Sequence, residues 1–142
     1  MDVTYYDTAG RPYKRVGPAG VVSLAEYDAA GREAARAIDM NGNSVIDYSG
    51  NDRVARFEYS ADNSRGVAVA KRRTLVHSQN GSSVAVETAV DETGGDGLNE
   101  WRTRFGRTVA TSRRLQGGGV VVETVANPDS STETRTYQDG RL

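Results

Sequence analysis

A six-residue pattern recurs at a fixed interval, and any fold of this chain must accommodate that period. Tyr6-Asp7-Thr8-Ala9-Gly10-Arg11 returns 21 residues later as Tyr27-Asp28-Ala29-Ala30-Gly31-Arg32. A further 21 residues reaches Tyr48-Ser49-Gly50-Asn51-Asp52-Arg53, which keeps the tyrosine and the arginine but puts Asp52 where glycine stood. A second turn signal lies near the middle of each repeat, Gly17-Pro18-Ala19-Gly20 in the first and Asp39-Met40-Asn41-Gly42 in the second. Each repeat therefore reads as strand, turn, strand, turn, with strands of about five to seven residues. Short units of this kind bury little on their own and must stack on their neighbours.

The chemistry of the motif explains the reversal. An aspartate carboxylate accepts hydrogen bonds from backbone N–H groups two or more residues on, and glycine supplies a positive φ without a Cβ clash. The tyrosine offers a ring to bury and a hydroxyl to keep bonded. The arginine stem can lie along a neighbouring ring while its guanidinium bridges to the next turn.

Composition supports strands throughout. The chain holds 17 valines, 12 threonines and 7 tyrosines against 5 leucines, and β-branched and aromatic side chains suit a pleated surface. Glycine at 16 with only 3 prolines points to tight turns rather than a proline-rich linker. Leucine, isoleucine, valine and phenylalanine are scarce while the net charge is only -1, so a thin core is expected rather than disorder. The competing element is a helix over Glu26 to Ile38, which contains five alanines with Asp28 as a candidate N-cap. Gly31 and the match to the Tyr6 repeat favour strands there.

We read residues 1–142 as one repetitive domain: clear repeats over 3–60, degenerate hairpins over 61–126, and a repeat-like terminal hairpin over 127–142. Lys71 to His77 and Ser83 to Val90 flank Asn80-Gly81, a strong hairpin signal. Asp91 to Asn99, with Gly94-Gly95 and Asp96-Gly97, is the longest loop candidate. Trp101 to Arg107, Thr108 to Gln116 and Val120 to Val125 read as further strands, the last two joined through Gly117-Gly118-Gly119, and Asn127-Pro128-Asp129-Ser130 reads as a turn. The chain closes on Tyr137-Gln138-Asp139-Gly140-Arg141, a shortened tyrosine-turn-glycine-arginine ending. The expected fold is all-β, a set of stacked antiparallel hairpins forming an open arc.

At Tyr6-Asp7-x-x-Gly10-Arg11 and Tyr27-Asp28-x-x-Gly31-Arg32 the sequence resembles the YD-repeat, or RHS-repeat, family, which includes bacterial Rhs polymorphic toxins, shell subunits of insecticidal toxin complexes, and teneurins. The resemblance is specific over about residues 3 to 60. It implies a strand ribbon that spirals into a hollow shell, enclosing a toxic polypeptide in the toxin members, and hence a secreted or cell-surface bacterial parent. A closed shell in that family takes many hundreds of residues, so this chain would supply a segment of one. The self-cleaving segment that ends many such shells, rich in aspartate-proline and glycine-leucine signals, has no counterpart here, so autoproteolysis is not carried over.

Other functional classes find little in the residues. No apolar run approaches the length that spans a bilayer as a helix, and the Met1 end lacks a charged-then-apolar leader. The 18 basic and 19 acidic residues balance, and Arg72-Arg73 and Arg113-Arg114 lack an aromatic platform, which argues against nucleic acid. With no cysteine and one histidine, His77, expected at the surface, no catalytic constellation can be assembled. Asp39-Met40-Asn41-Gly42-Asn43-Ser44-Val45-Ile46-Asp47 echoes the start of a calcium loop with Ile46 at its apolar position, but Gly50 stands where a bidentate glutamate belongs, so a plain turn and no metal or cofactor are expected. The expected role is a non-enzymatic scaffold whose partners are neighbouring repeats or an enclosed polypeptide. The alternative is a surface module binding a glycan or a protein receptor through Trp101. Exposed strand edges are also expected to pair two copies of the chain.

Overall fold

The computed structural model describes residues 1–77 and 84–138. The Asn80-Gly81 turn and Asp139, Gly140 and Arg141 lie outside the described residues. The fold is all-β, an open antiparallel sheet of eleven strands lying in chain order, with no helix among the described residues. The strands are β1 (Val3–Tyr6), β2 (Pro12–Val16), β3 (Val22–Tyr27), β4 (Glu33–Asp39), β5 (Arg53–Asp62), β6 (Val69–His77), β7 (Ala85–Gly94), β8 (Asn99–Arg104), β9 (Arg107–Gln116), β10 (Val120–Ala126) and β11 (Thr132–Gln138). Two compact units emerge, Met1–Glu58 with Thr74–Glu87, and Tyr59–Arg73 with Thr88–Leu142.

In the first unit the core is one row of small and branched side chains. Leu24, Ala37 and Val54 stand opposite one another across β3, β4 and β5, and Ala35 lies beside them. Ile46 reaches this row from the loop between β4 and β5, with Val22 and Tyr48 at its margin. Alanine at two central positions leaves the depth that Ile46 fills. The stretch from Glu26 to Ile38 is therefore strand, turn and strand: its alanines are core contacts on a sheet, and Gly31 at φ 78° reverses the chain. His77, expected at the surface, is instead 5% exposed, with its ring edge-on to Tyr48 at 5.2 Å.

In the second unit two boundaries differ from expectation. Residues 91–94 continue β7, where Thr93 pairs with Glu100 and Asp91 with Arg102, so the expected long loop shrinks to a turn centred on Gly95-Asp96-Gly97. The Gly95 N–H donates to the Ala68 carbonyl at 2.8 Å, and Gly97 takes φ 69°. The strand expected to run from Trp101 through Arg107 is broken at Phe105-Gly106, where both residues have positive φ, 49° and 77°. Two successive residues there make a hairpin turn of the primed type, which favours asparagine followed by glycine. Phenylalanine is a poor signal for it, and the Phe105 side chain is 80% exposed.

Phe105→Asn is expected to stabilise the chain by about 0.5–1 kcal/mol, because asparagine tolerates the left-handed region and no buried contact is lost. An unchanged or lower urea midpoint would count against this account of the turn.

Candidate functional site

The tyrosine-aspartate turns are where sequence, geometry and repetition coincide. In the first, the Asp7 N–H donates to the Arg11 carbonyl at 2.9 Å and the Gly10 N–H to the Asp7 carbonyl at 3.0 Å. Asp7 Oδ1 accepts from the N–H groups of Ala9 and Arg11, both at 2.9 Å, and Arg11 Nε donates to Asp7 Oδ2 at 2.7 Å. The second turn repeats every bond: Asp28 N–H to Arg32 carbonyl at 2.8 Å, Gly31 N–H to Asp28 carbonyl at 2.9 Å, the Ala30 and Arg32 N–H groups to Asp28 Oδ1 at 2.9 Å, and Arg32 Nε to Oδ2 at 2.8 Å. The Arg11 backbone N–H, its guanidinium and the Ala9 N–H hold the Asp7 carboxyl below its ordinary pKa. At Asp28, desolvation opposes ionisation but is outweighed by the same set of bonds from Arg32 and Ala30, so its pKa is lowered too.

The two turns are also joined. The Arg11 guanidinium lies 4.6 Å from the centre of the Tyr27 ring, and the Tyr27 hydroxyl donates to the Pro12 carbonyl at 2.8 Å. One arginine thus closes its own turn and covers the tyrosine of the next. Tyr6, at the exposed end of β1, begins this series.

The same five-residue reversal appears where the tyrosine-aspartate signature is missing. Gly17 N–H donates to the Val21 carbonyl at 2.9 Å and Gly20 N–H to the Gly17 carbonyl at 2.9 Å, with Gly20 at φ 77°. Asn127 N–H donates to the Ser131 carbonyl at 2.9 Å and Ser130 N–H to the Asn127 carbonyl at 3.0 Å, with Ser130 at φ 69° in the place of glycine. There the Ser131 N–H is capped by Asp129 rather than by the first residue of the turn. The sequence marks this stretch as a turn but not as the same reversal, because its cap has moved by two positions and its glycine is a serine.

At Tyr48 the third copy is rebuilt. Gly50 N–H closes a tight turn on the Asp47 carbonyl at 3.2 Å. Asp52, 1% exposed, accepts from the N–H of Met40 at 2.9 Å and of Asp47 at 3.1 Å, bolting the loop that carries Ile46 onto the core. The Tyr48 hydroxyl donates to Glu26 Oε2 at 2.7 Å, and burial and that carboxylate raise its pKa. Arg53 opens β5, facing Ile38. In the stretch resembling a calcium loop, Asp39 accepts from the N–H groups of Gly42 and Ser44, Asn41 Oδ1 from Asn43, and Asn43 Oδ1 from Val45. Its oxygens are engaged by the loop's own amides. Among the described residues no three His, Asp or Glu side chains converge as a metal site would require.

The second unit buries a charged residue, Glu92, within a cluster of ion pairs. The buried Glu92 carboxylate accepts from Arg65 at 2.6 Å and lies 3.2 Å from Lys71, which also reaches Asp62 at 2.8 Å. Burial opposes the ionisation of Glu92, and Arg65 and Lys71 outweigh it, leaving its pKa lowered. Trp101 stands opposite Glu92, with the Arg65 guanidinium 5.3 Å from its ring centre. An open cleft of ≈ 590 Å³ next to it is lined by Tyr59, Arg72, Asp91, Glu100 and Arg102 among others. Tyr137, on β11, directs its hydroxyl at Glu123 Oε1, 3.5 Å away.

Carboxylates with lowered pKa contribute stability above their unfolded values, near 4, and lose it as pH falls through the folded ones. The denaturation midpoint is therefore expected to hold from pH 7 to about 5 and to fall steeply below about 4; a midpoint flat down to pH 3 would contradict it. Gly31→Ala is expected to cost about 1 kcal/mol, the penalty for a Cβ in the left-handed region. The nearest atom to that Cβ, Arg11 Nη1, is 3.8 Å away and adds no clash, so a loss well above this in denaturant unfolding would need another cause.

Comparison with family models, with curated proteins and with solved structures finds no match.

Proposed function

We propose that this chain is a non-enzymatic scaffold segment of the YD-repeat type, a stretch of strand ribbon that packs against further repeats or against a polypeptide enclosed by its parent. The observation that carries the reading is the bond-for-bond recurrence of the Asp7 and Asp28 turns together with the Arg11–Tyr27 contact between them. A motif whose arginine covers the next tyrosine has a built-in rule for adding another unit of the same kind. The roles it assigns are mechanical: Asp7 and Asp28 cap, Gly10 and Gly31 reverse, Arg11 stacks and Tyr27 is covered. On the family resemblance, the parent is a larger secreted or cell-surface bacterial protein related to toxins. No helix among the described residues is long and apolar enough to cross a membrane.

A second reading, a module binding a glycan or a protein receptor, draws on the cleft in the second unit and on Trp101 at its margin. Arg65 against the Trp101 ring weighs against it, because that contact already gives the indole a structural partner.

In the scaffold reading the isolated chain gives a β-rich circular dichroism spectrum, and its unfolding is unaffected by calcium or by a chelator. A double-mutant cycle of Arg11→Ala with Tyr27→Leu should return a coupling of about 0.5–1 kcal/mol. A helical spectrum, or zero coupling in the cycle, would sink it. Glycan-array binding that disappears on Trp101→Ala would establish the second reading instead.

A further inference from the structure

The two edges of the sheet are built differently. β1 is four residues long and its register slips between Tyr5 and Tyr6, which are features that blunt an edge against pairing. β11 is seven residues long, regular in register from Thr132 to Gln138, largely exposed and free of proline. Neither a proline nor a register shift interrupts it.

Its free backbone groups can be located. The Asn127 N–H bonds to the Ser131 carbonyl, so by alternation Glu133, Arg135 and Tyr137 direct their N–H and C=O groups at β10. Thr132, Thr134, Thr136 and Gln138 direct theirs away from the sheet.

The charges across the sheet point in the same direction. Glu100 on β8 meets Arg113 on β9 at 3.0 Å, Arg113 meets Glu123 on β10 at 2.9 Å, and Glu123 stands opposite Arg135 on β11. The row alternates in sign and stops on a cation at the edge, where Arg135 turns back to Glu133 of its own strand at 3.0 Å. The next strand should present a carboxylate to Arg135 on that face.

We propose that a second copy of this chain supplies that strand, β11 pairing antiparallel with β11 about a two-fold axis at Thr134. In that register Glu133 of each copy faces Arg135 of the other, threonines meet at Thr134–Thr134 and Thr132–Thr136, and about six backbone hydrogen bonds form from groups that have no strand partner among the described residues. A slip of one residue per copy places Glu133 against Glu133 or Arg135 against Arg135, so the charges select a single register. The interface is isologous and closes at two copies. It depends only on β8 to β11, and where a further repeat follows in a parent chain, that repeat would compete with the second copy for the same edge.

Sedimentation equilibrium on the whole chain, from micromolar to near-millimolar concentration, is expected to show a monomer–dimer equilibrium. Arg135→Glu alone and Glu133→Arg alone each set like charges opposite twice in the dimer and should weaken association about tenfold. Mixing these two variants should restore it, because each then presents the charge the other lacks. Thr134→Pro removes the N–H at the axis and should abolish the dimer with the circular dichroism unchanged. A monomer at every concentration overturns the proposal, as does a dimer indifferent to both charge variants, or charge variants that remain weak when mixed. None of these outcomes alters the spectrum and coupling by which the scaffold reading is judged.

Discussion

The Asp7 carboxylate serves two backbone N–H groups through one oxygen and its own turn's arginine through the other, and the reversal depends on that division. A five-residue turn leaves N–H groups facing inward without strand partners, and an unpaired donor is costly wherever water is kept from it. Aspartate solves this locally. Because the solution needs no distant residue, it can be repeated along the chain, and each repetition fixes the register of the strands it joins. The arginine then carries the order outward, since the guanidinium held by Asp7 is the one that lies over Tyr27.

A sheet assembled this way needs less apolar burial to be specified, which suits a chain with so few large aliphatic residues. In the first unit the loop after β4 folds back to add Ile46 to the row of Leu24, Ala37 and Val54, and two aspartates secure it: Asp39 caps its start and Asp52 ties its two ends. In the second, Glu92 with Arg65 and Lys71 occupies ground that a larger hydrophobic core would take. Buried ion pairs compensate a large desolvation penalty more than they add stability. Arg65, in the Asn63–Gly66 turn, is held by Glu92 and lies against the Trp101 ring.

Local chemistry was legible in the sequence to the extent that it was carried by aspartate and glycine. The strand class, the turns at Asp7, Gly17 and Asp28, and the rejection of a helix across Glu26 to Ile38 all follow from residues whose preferences act within four positions. What escaped depends on partners far along the chain. Residues 91–94 look like loop because Gly94 and Gly95 are turn formers, yet the pairing of Thr93 with Glu100 keeps them in the ladder. His77 looks like a surface residue, and only its approach to Tyr48 shows it to be buried. Phe105 holds positive φ where glycine or asparagine would be expected, so it does not announce its turn. Asp52 occupies the glycine position of a decayed repeat and in fact binds two amides elsewhere in its own loop, those of Met40 and Asp47.

The contrast between the edges bears on what an open sheet of this kind requires. Among the described residues the eleven strands lie in chain order without closing, and an open edge of a sheet is blunted, covered or extended. β1 is short and irregular, whereas β11 is long and regular and carries glutamate and arginine two residues apart on one face. That spacing has a specific geometric meaning. Two such residues on an antiparallel strand complement an identical strand only when the axis falls between them, so glutamate and arginine at i and i+2 encode both a partner and a register. The threonines that alternate with them, Thr132, Thr134 and Thr136, add β-propensity with little apolar surface, which keeps the edge selective for matched charge rather than open to any exposed strand.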